Sequence, residues 1–234
     1  MSHSLLRNDF DGPEALADGL VTAVASALRA GIETRGRASL VVSGGSTPAL
    51  FLNRLGREEL EWARVSVTLV DERWVPETSE RSNAKMLRET LLSGNASAAN
   101  FRPLFTDKKS PENGLVLAAR HVASLARPFD AVVLGMGADG HTASFFPGGD
   151  KLAEALDLDS SALILAMRAP GAGEPRVTLT LPVLLGTGFL ALHIEGAQKA
   201  DVLEEALGEG DVAAMPVRAV LRQTRVPVNI FWCP

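Results

Sequence analysis

The sequence is poor in cysteine and carries no surplus of basic charge. Of its 234 residues one is a cysteine, Cys233, which excludes an intramolecular disulfide and a metal site built from several cysteines. Lysine and arginine number 23 against 28 acidic residues, a formal net charge of −5. This balance excludes a general nucleic-acid binder that relies on a basic face, and it disfavours attraction to anionic membranes.

Long apolar runs are also missing. The most apolar stretch, residues 183–194, has about 12 residues and is interrupted by glycine and histidine, well below the ~20 that span a bilayer. Residues 1–7 lack the basic segment and the following apolar segment of a secretory signal. We therefore expect a cytoplasmic protein without a membrane partner.

What the chain has in quantity is the alternation of strand and helix patterns. With 46% hydrophobic and 22% charged residues it is a folding sequence, and its length fits a single domain, residues 1–234. Short apolar runs predict strands at residues 39–42, 65–70, 129–134, 162–167, 177–181, 189–194 and 228–231. Helical spacing predicts helices at residues 13–31, 49–55, 83–92, 114–126 and 198–207. The order predicts an α/β fold, a mostly parallel, Rossmann-like open sheet with helices on both faces.

In such sheets ligands bind beyond the carboxyl ends of the strands, so we examined the loops there. The first is Ser43-Gly-Gly-Ser-Thr-Pro48, which offers backbone N–H groups and hydroxyls at Gly45, Ser46 and Thr47 before a helix. A loop of this kind approaches a phosphate closely, and the helix N-terminus adds partial positive charge. The alternative is an ordinary glycine-rich turn that caps a helix.

A second loop begins with Asp71-Glu-Arg73, an acid and a cation at the end of an apolar strand. An unpaired charge is costly there unless a partner or a ligand meets it. The guanidinium of Arg73 suits bidentate recognition of a phosphate. Mutual pairing or solvation of the two charges is the alternative. The segment Gly196-Ala-Gln-Lys199 is a further candidate after a strand.

The third loop, Gly135-Met-Gly-Ala-Asp-Gly-His-Thr142, matches the Gly-x-Gly-x-x-Gly pattern of dinucleotide sites. The match is weak, because Pro147 breaks the segment where a helix should continue and no acidic residue ends the next apolar run. We expect no cofactor. The turn instead presents Asp139 beside His141, an acid–base pair suited to proton transfer near neutral pH. The alternative is a histidine bound in a loop for structural reasons.

The remaining histidines and the usual nucleophile and metal motifs give no support for other chemistry. His3, His121 and His193 lie at the terminus, in a helix and inside a strand, which favours structural roles. No Gly-x-Ser-x-Gly elbow and no His-x-x-x-His pair occurs, so we expect neither a covalent nucleophile nor a bound metal.

Taken in order, five blocks resemble the 6-phosphogluconolactonases of the glucosamine-6-phosphate isomerase/6-phosphogluconolactonase family. They are residues 43–48, 71–73, 134–148, Arg176-Val-Thr-Leu-Thr180 and residues 196–200, and they are spread over most of the chain, from about Ser43 to Ala200. The resemblance implies a sugar-phosphate isomerase-like fold and hydrolysis of 6-phospho-D-glucono-1,5-lactone to 6-phospho-D-gluconate in the oxidative pentose phosphate pathway. It also implies a small-molecule lactone partner, no cofactor, and a monomer or weak homo-oligomer.

The same resemblance implies roles for single residues. His141 is the expected general base, and Asp139 orients it. The 6-phosphate is expected at Arg73, Lys199 and the loop residues Gly45, Ser46 and Thr47. Asp71 is expected to bind sugar hydroxyls or to orient Arg73, and Arg176 is expected near the phosphate or the lactone oxygens.

Two other functions have to be weighed. Glucosamine-6-phosphate deaminases of similar sequence carry a glutamate just before the Pro-Gly, where this chain has Phe146, which favours the lactonase. Related folds also serve as sugar-phosphate sensing modules of transcription regulators. Those modules carry a DNA-binding segment, and none is visible before residue 40.

Overall fold

The computed structural model describes residues 5–234. Its strands are β1 (Leu5–Asp9), β2 (Ala38–Val42), β3 (Val65–Leu69), β4 (Asp71–Arg73), β5 (Asn100–Phe101), β6 (Ala131–Leu134), β7 (Ile164–Met167), β8 (Arg176–Leu179), β9 (Leu190–Glu195) and β10 (Val228–Cys233). Its α-helices are α1 (Pro13–Arg35), α2 (Ala49–Leu55), α3 (Asn83–Glu89), α4 (Pro111–Ala123), α5 (Leu152–Leu156), α6 (Leu181–Leu184), α7 (Ala197–Leu207) and α8 (Val217–Arg222).

Seven strands form a parallel sheet in the order β1-β10-β9-β6-β2-β3-β5. The inner strands β2 and β6 are buried along their whole length, as their continuous apolar runs require. Helix α1 packs against α2 and against strands β2 and β10, and α7 packs against α8 and β9. The predicted α/β fold with a mostly parallel sheet is confirmed.

Three strands leave this sheet and form a second, antiparallel one in the order β4-β8-β7. The sequence predicted residues 71–73 as the start of a loop after the strand at 65–70, but they form a separate strand, because the chain turns away at Val70. Val70 donates its backbone N–H to Val42 in the first sheet and accepts one from Leu179 in the second. In the second sheet Arg73 lies opposite Arg176, which brings two cationic residues to one edge.

The first helix is longer than its sequence predicted. Gly31 was taken as its end, but α1 continues to Arg35 and ends at Gly36, whose φ of 71° is left-handed. Gly31 is needed for a close approach instead: a Cβ at this position would lie 2.1 Å from Oδ1 of Asp130. Among the described residues, α1 is also long and apolar enough to span a membrane, a property that buried core helices share. Its apolar stripe, including Leu16 and Leu20, is buried against the fold.

Besides β4, five of the described strands and α-helices were not predicted from the sequence: β1, β5, α5, α6 and α8. Strand β1 lies at the sheet edge with most of its side chains partly or fully exposed, so it lacks a continuous apolar run. Helix α8 has six residues, too few for a clear period. It bears the buried Arg218, whose guanidinium donates to the backbone carbonyls at and beyond the end of α7: those of Glu205, Ala206, Glu209 and Asp211. One side chain thus satisfies carbonyls that the end of a helix leaves free.

We expect Arg218→Ala to lower the free energy of unfolding by about 2 kcal/mol, because four backbone carbonyls lose a charged donor that is itself buried. Urea denaturation measures this. The matched control is Arg222→Ala, an exposed arginine of the same helix that donates to the carbonyls of Gly208 and Gly210. Arg222→Ala should lower the free energy of unfolding by less, since water replaces an exposed donor. Equal losses for the two variants would contradict the role of burial.

Candidate active site

A cavity of about 300 Å³ opens at the carboxyl edge of the parallel sheet. This is the size of cavity that holds a small metabolite. All four loops selected from the sequence contribute to its wall. Eight of the nine predicted site residues line it: Gly45, Ser46, Thr47, Asp71, Arg73, His141, Arg176 and Lys199. The ninth, Asp139, lies behind His141 and contacts its ring.

His141 is held by a tight turn that follows β6. The backbone N–H of Gly137 donates to the carbonyl of His141 over 2.8 Å, and the hydroxyl of Thr142 donates to the carbonyl of Gly135 over 2.7 Å. Gly137 has to be glycine, because a Cβ there would lie 2.0 Å from Nδ1 of His141 and 2.6 Å from Oδ1 of Asp139. The space that a side chain would fill is taken by the imidazole.

The tautomer of His141 follows from its partner. Nδ1 lies 2.5 Å from Oδ1 of Asp139, and the same oxygen accepts the backbone N–H of His141 over 3.1 Å. Burial raises the pKa of Asp139, but the charge and hydrogen bonds of His141 outweigh burial and hold that pKa below its ordinary value. An ionised carboxylate only accepts, so Nδ1 carries the proton. Nε2 is then the basic nitrogen.

The glycines of the loop at residues 43–48 have different functions. Gly45 has a φ of 98°, a left-handed conformation that favours glycine. Gly44 leaves room for a neighbour, since a Cβ there would lie 2.1 Å from the side chain of Asn83. The loop is joined to the turn that holds His141 by Ser43, whose hydroxyl accepts the backbone N–H of Gly135 over 2.9 Å. The two loops are therefore fixed relative to each other.

Arg73 points into the cavity from β4. Its Nη1 donates to the carbonyl of Arg81 and to Oδ1 of Asn83, each over 2.8 Å. Its Nε is buried and has no hydrogen-bond partner within residues 5–234. A buried donor without a partner is costly, and the side chains around Arg73 leave part of its hydrogen-bonding capacity unused. The guanidinium charge at the cavity wall is suited to an anionic ligand.

The strand that carries Arg73 is anchored by Glu72. The carboxylate of this fully buried residue accepts the backbone N–H groups of Arg73, Asn83 and Ala84 over 2.7–2.8 Å. Burial raises the pKa of Glu72 to about 7, although the three N–H groups act in the opposite direction. The same carboxylate thereby fixes the start of α3, where Asn83 lies.

Asp71 and Arg176 form a second buried pair. Nη1 of Arg176 lies 3.6 Å from Oδ2 of Asp71, and the same oxygen accepts the hydroxyl of Ser144 over 2.6 Å. Burial lowers the pKa of Arg176, while the charge of Asp71 raises it. Nε of Arg176 is buried without a partner among the residues that the structure describes. Asp71 thus contacts Arg176 rather than Arg73, which is held by Asn83.

Lys199 completes the cationic wall from the first turn of α7. Burial lowers its pKa, and the charge of Asp139 acts against this shift. Lys199 makes no ion pair within 4 Å in the described part of the chain. Three cations thus face one cavity on different elements, and the anionic side chains nearby do not neutralise all of them.

Several residues of the cavity were missed or assigned otherwise from the sequence. His193 was interpreted as structural; it is 3% exposed, lies in the cavity wall, and has its Nε2 2.9 Å from Glu195. Asn83, which lines the cavity, and Ser144, which is fully buried and donates to Asp71, were not identified at all, because a polar residue at a helix start or in a loop is common. His121 binds the carbonyl of Pro103 away from the cavity. His3 lies outside the described residues.

No group of three metal-ligating side chains of histidine, cysteine, aspartate or glutamate occurs within residues 5–234.

A family model described as glucosamine-6-phosphate isomerases/6-phosphogluconolactonase matches residues 11–232. The chain belongs to this family. It is 50% identical over 225 residues to a protein named 6-phosphogluconolactonase from Rhizobium meliloti strain 1021. The alignment covers 96% of this chain and 97% of the relative.

Solved structures agree with this family assignment. A crystal structure of a 6-phosphogluconolactonase from Shewanella baltica OS155 superposes with a TM-score of 0.95 at 43% identity, covering 98% of both chains. A monomeric glucosamine-6-phosphate deaminase has a TM-score of 0.77 at 17% identity, covering 97% of both chains. At that identity the likeness to the deaminase concerns the fold alone.

Proposed function

We propose that this chain is a 6-phosphogluconolactonase that hydrolyses 6-phospho-D-glucono-1,5-lactone to 6-phospho-D-gluconate, with His141 as the general base. One observation carries the assignment of the base. The Nδ1 contact with Asp139 leaves Nε2 as the basic nitrogen of a ring that lines a cavity also lined by Arg73, Arg176 and Lys199. The family membership and the names of the close relatives support the reaction.

The chemistry needs one residue that first accepts and then returns a proton. Nε2 of His141 removes a proton from water while the water oxygen bonds to the lactone carbonyl carbon. The carbonyl oxygen becomes an oxyanion, and the imidazolium that forms is stabilised by the carboxylate of Asp139. When the bond from the carbonyl carbon to the ring oxygen breaks, the imidazolium gives its proton to that oxygen. The product is the open-chain acid, and His141 is again neutral.

The cations divide between the two ends of the substrate. Arg73, Lys199 and the loop residues Gly45, Ser46 and Thr47 hold the 6-phosphate in this proposal. Arg176 lies beside Asp71, and the pair is assigned to the oxygens of the sugar ring, including the charge that develops on the carbonyl oxygen. The guanidinium of Arg176 is buried, so little water screens the charge that it presents there.

A deaminase of the same fold is the competing function. Phe146 stands where the deaminases carry a glutamate, and here its ring packs against His141. The glutamate that completes an Asp-His-Glu relay for ring opening is therefore not present at that position.

The decisive experiment supplies freshly generated 6-phosphogluconolactone and, in parallel, glucosamine 6-phosphate to the purified protein. We expect turnover of the lactone well above its spontaneous hydrolysis and none of the amino sugar. Turnover of glucosamine 6-phosphate would assign the chain to the deaminases. No turnover of either would favour a sensing module.

Arg73→Ala tests the phosphate site. We expect a rise in KM of about 30-fold with a smaller change in kcat, because one charge-assisted contact to the phosphate is lost. Lys199→Ala should act in the same direction. Steady-state kinetics measure both, with Arg64→Ala as the control, an exposed arginine paired to Glu61 outside the cavity. If unphosphorylated gluconolactone were hydrolysed as efficiently as the phosphorylated lactone, the phosphate site would be refuted.

A further inference from the structure

Phe146 contacts two of the charged groups of the site at once. Its ring centroid lies 4.4 Å from that of the His141 imidazole, and the two planes are inclined by 32°. Cζ of Arg176 lies 5.3 Å from the same phenyl centroid. Phe146 is 3% exposed and lines the cavity. An apolar ring therefore packs against the residue assigned to proton transfer.

Two other contacts of His141 do not fix the inclination of its ring. The hydrogen bond to Asp139 fixes Nδ1, and the close backbone of Gly137 limits the ring on the Nδ1–Cε1 edge. Both constraints act at that edge, so neither fixes the inclination of the ring or the direction of Nε2. The face contact with Phe146 supplies the missing constraint.

The local backbone is shaped to place this ring. Ala143 has a φ of 49°, a left-handed conformation that residues with a side chain rarely adopt. Residues held in this way cluster at functional sites, where the surrounding structure over-determines them. Beyond Ala143 the backbone N–H of Phe145 donates to the carbonyl of Thr142. The side chains of the two neighbouring phenylalanines lie in different places: Phe145 is fully buried in the core, and Phe146 lines the cavity.

We propose that Phe146 is a positioning residue that acts through His141, holding Nε2 in the direction of the water that attacks the lactone. The proposal rests on the assignment of His141 as the base. Its aromatic face also stabilises the imidazolium that forms during the reaction, because the face of a phenyl ring attracts a cation. Its contact with Arg176 is secondary: it keeps the guanidinium beside the reacting end of the substrate.

The test is Phe146→Leu, which keeps an apolar side chain and removes the ring face. We expect kcat to fall about 10-fold while KM stays within 3-fold, since a misplaced base slows the chemical step without weakening phosphate binding. The matched control is Phe145→Leu, the same substitution one residue earlier in the core. It should lower the melting temperature and leave kcat within 2-fold. Phe146→Tyr, which keeps the ring, should retain most of the turnover.

Proton NMR of the His141 ring provides a readout that does not depend on catalysis. The ring protons, assigned by their absence in His141→Ala, are shifted by the ring current of Phe146. They should move in Phe146→Leu and stay in place in Phe145→Leu. If Phe146→Leu did not fold, Phe146→Tyr would still test the proposal. This variant keeps the aromatic ring, so it should retain both kcat and the shifts of the His141 ring protons. Retention of the shifts with loss of kcat would contradict the proposal.

The outcomes are distinct. Unchanged kcat in a folded Phe146→Leu would overturn the proposal, and so would raised KM with unchanged kcat, which would place the effect on Arg176. If His141→Ala itself kept its turnover, the assignment of the base would fail instead. The NMR shift would in that case still report the contact between the rings.

Discussion

His141→Ala is expected to lower kcat at least ~100-fold, the contribution that a general acid–base group makes. The variant loses both the acceptor of the proton from water and the donor to the ring oxygen. The Asp139 carboxylate stays near the cavity but has no basic nitrogen to orient. The side chain of His141 is 30% exposed, so its removal leaves no large void and the fold is retained.

The measurement is steady-state turnover after subtraction of spontaneous lactone hydrolysis, with circular dichroism to verify folding. His121→Ala is the matched control, since this histidine binds the carbonyl of Pro103 on a helix outside the cavity. We expect it to keep the turnover of the unmodified protein. Near-normal turnover by His141→Ala would remove this residue from the mechanism.

Gly137→Ala should reduce kcat about 100-fold without touching a reacting group. The added Cβ would lie 2.0 Å from Nδ1 and 2.2 Å from Cε1 of His141, so the imidazole has to leave its position. It would also lie 2.6 Å from Oδ1 of Asp139, so the carboxylate moves as well. A misplacement of about 1 Å costs up to ~100-fold in rate. The side chains of Arg73 and Lys199, which we propose to hold the phosphate, are not displaced.

This variant separates catalysis from binding. We expect 6-phosphogluconate, the product, to bind Gly137→Ala nearly as tightly as the unmodified protein in isothermal titration calorimetry, while turnover is lost. The control is Gly188→Ala, where a Cβ finds its nearest neighbours at 3.9 Å, an ordinary contact. Turnover of Gly137→Ala within 3-fold of the original would mean that the His141–Asp139 geometry is not needed.

The local part of the site could be predicted, because its signals are contiguous in the chain. The loop at residues 43–48 and the turn at residues 135–142 each combine glycines with polar residues directly after an apolar strand. The carboxyl ends of parallel strands meet at one edge, so their convergence followed from the fold class. The absence of a cofactor and of a metal, the oligomeric state and the cytoplasmic location stay predictions.

The partners of the cationic residues could not be predicted. Arg73 is held by Asn83, for which Gly44 leaves room, and nothing in the sequence links these three positions. Likewise Asp71 contacts Ser144 and Arg176, which lie 73 and about 105 residues further along the chain. Such contacts have no period and no fixed spacing.

The sequence by itself determined the α/β class, the family and the chemical groups that the site offers. The patterns that indicate strands, helices and glycine-rich turns depend only on residues that are close together in the sequence. The tertiary structure alone decided that β4 leaves the parallel sheet to pair with β8, and that this pairing sets Arg73 opposite Arg176. It also decided that the ring of Phe146 packs against the imidazole of His141. The physical reason is that pairing between distant strands and packing between side chains depend on which surfaces meet after the chain has folded, and distance along the sequence does not encode this.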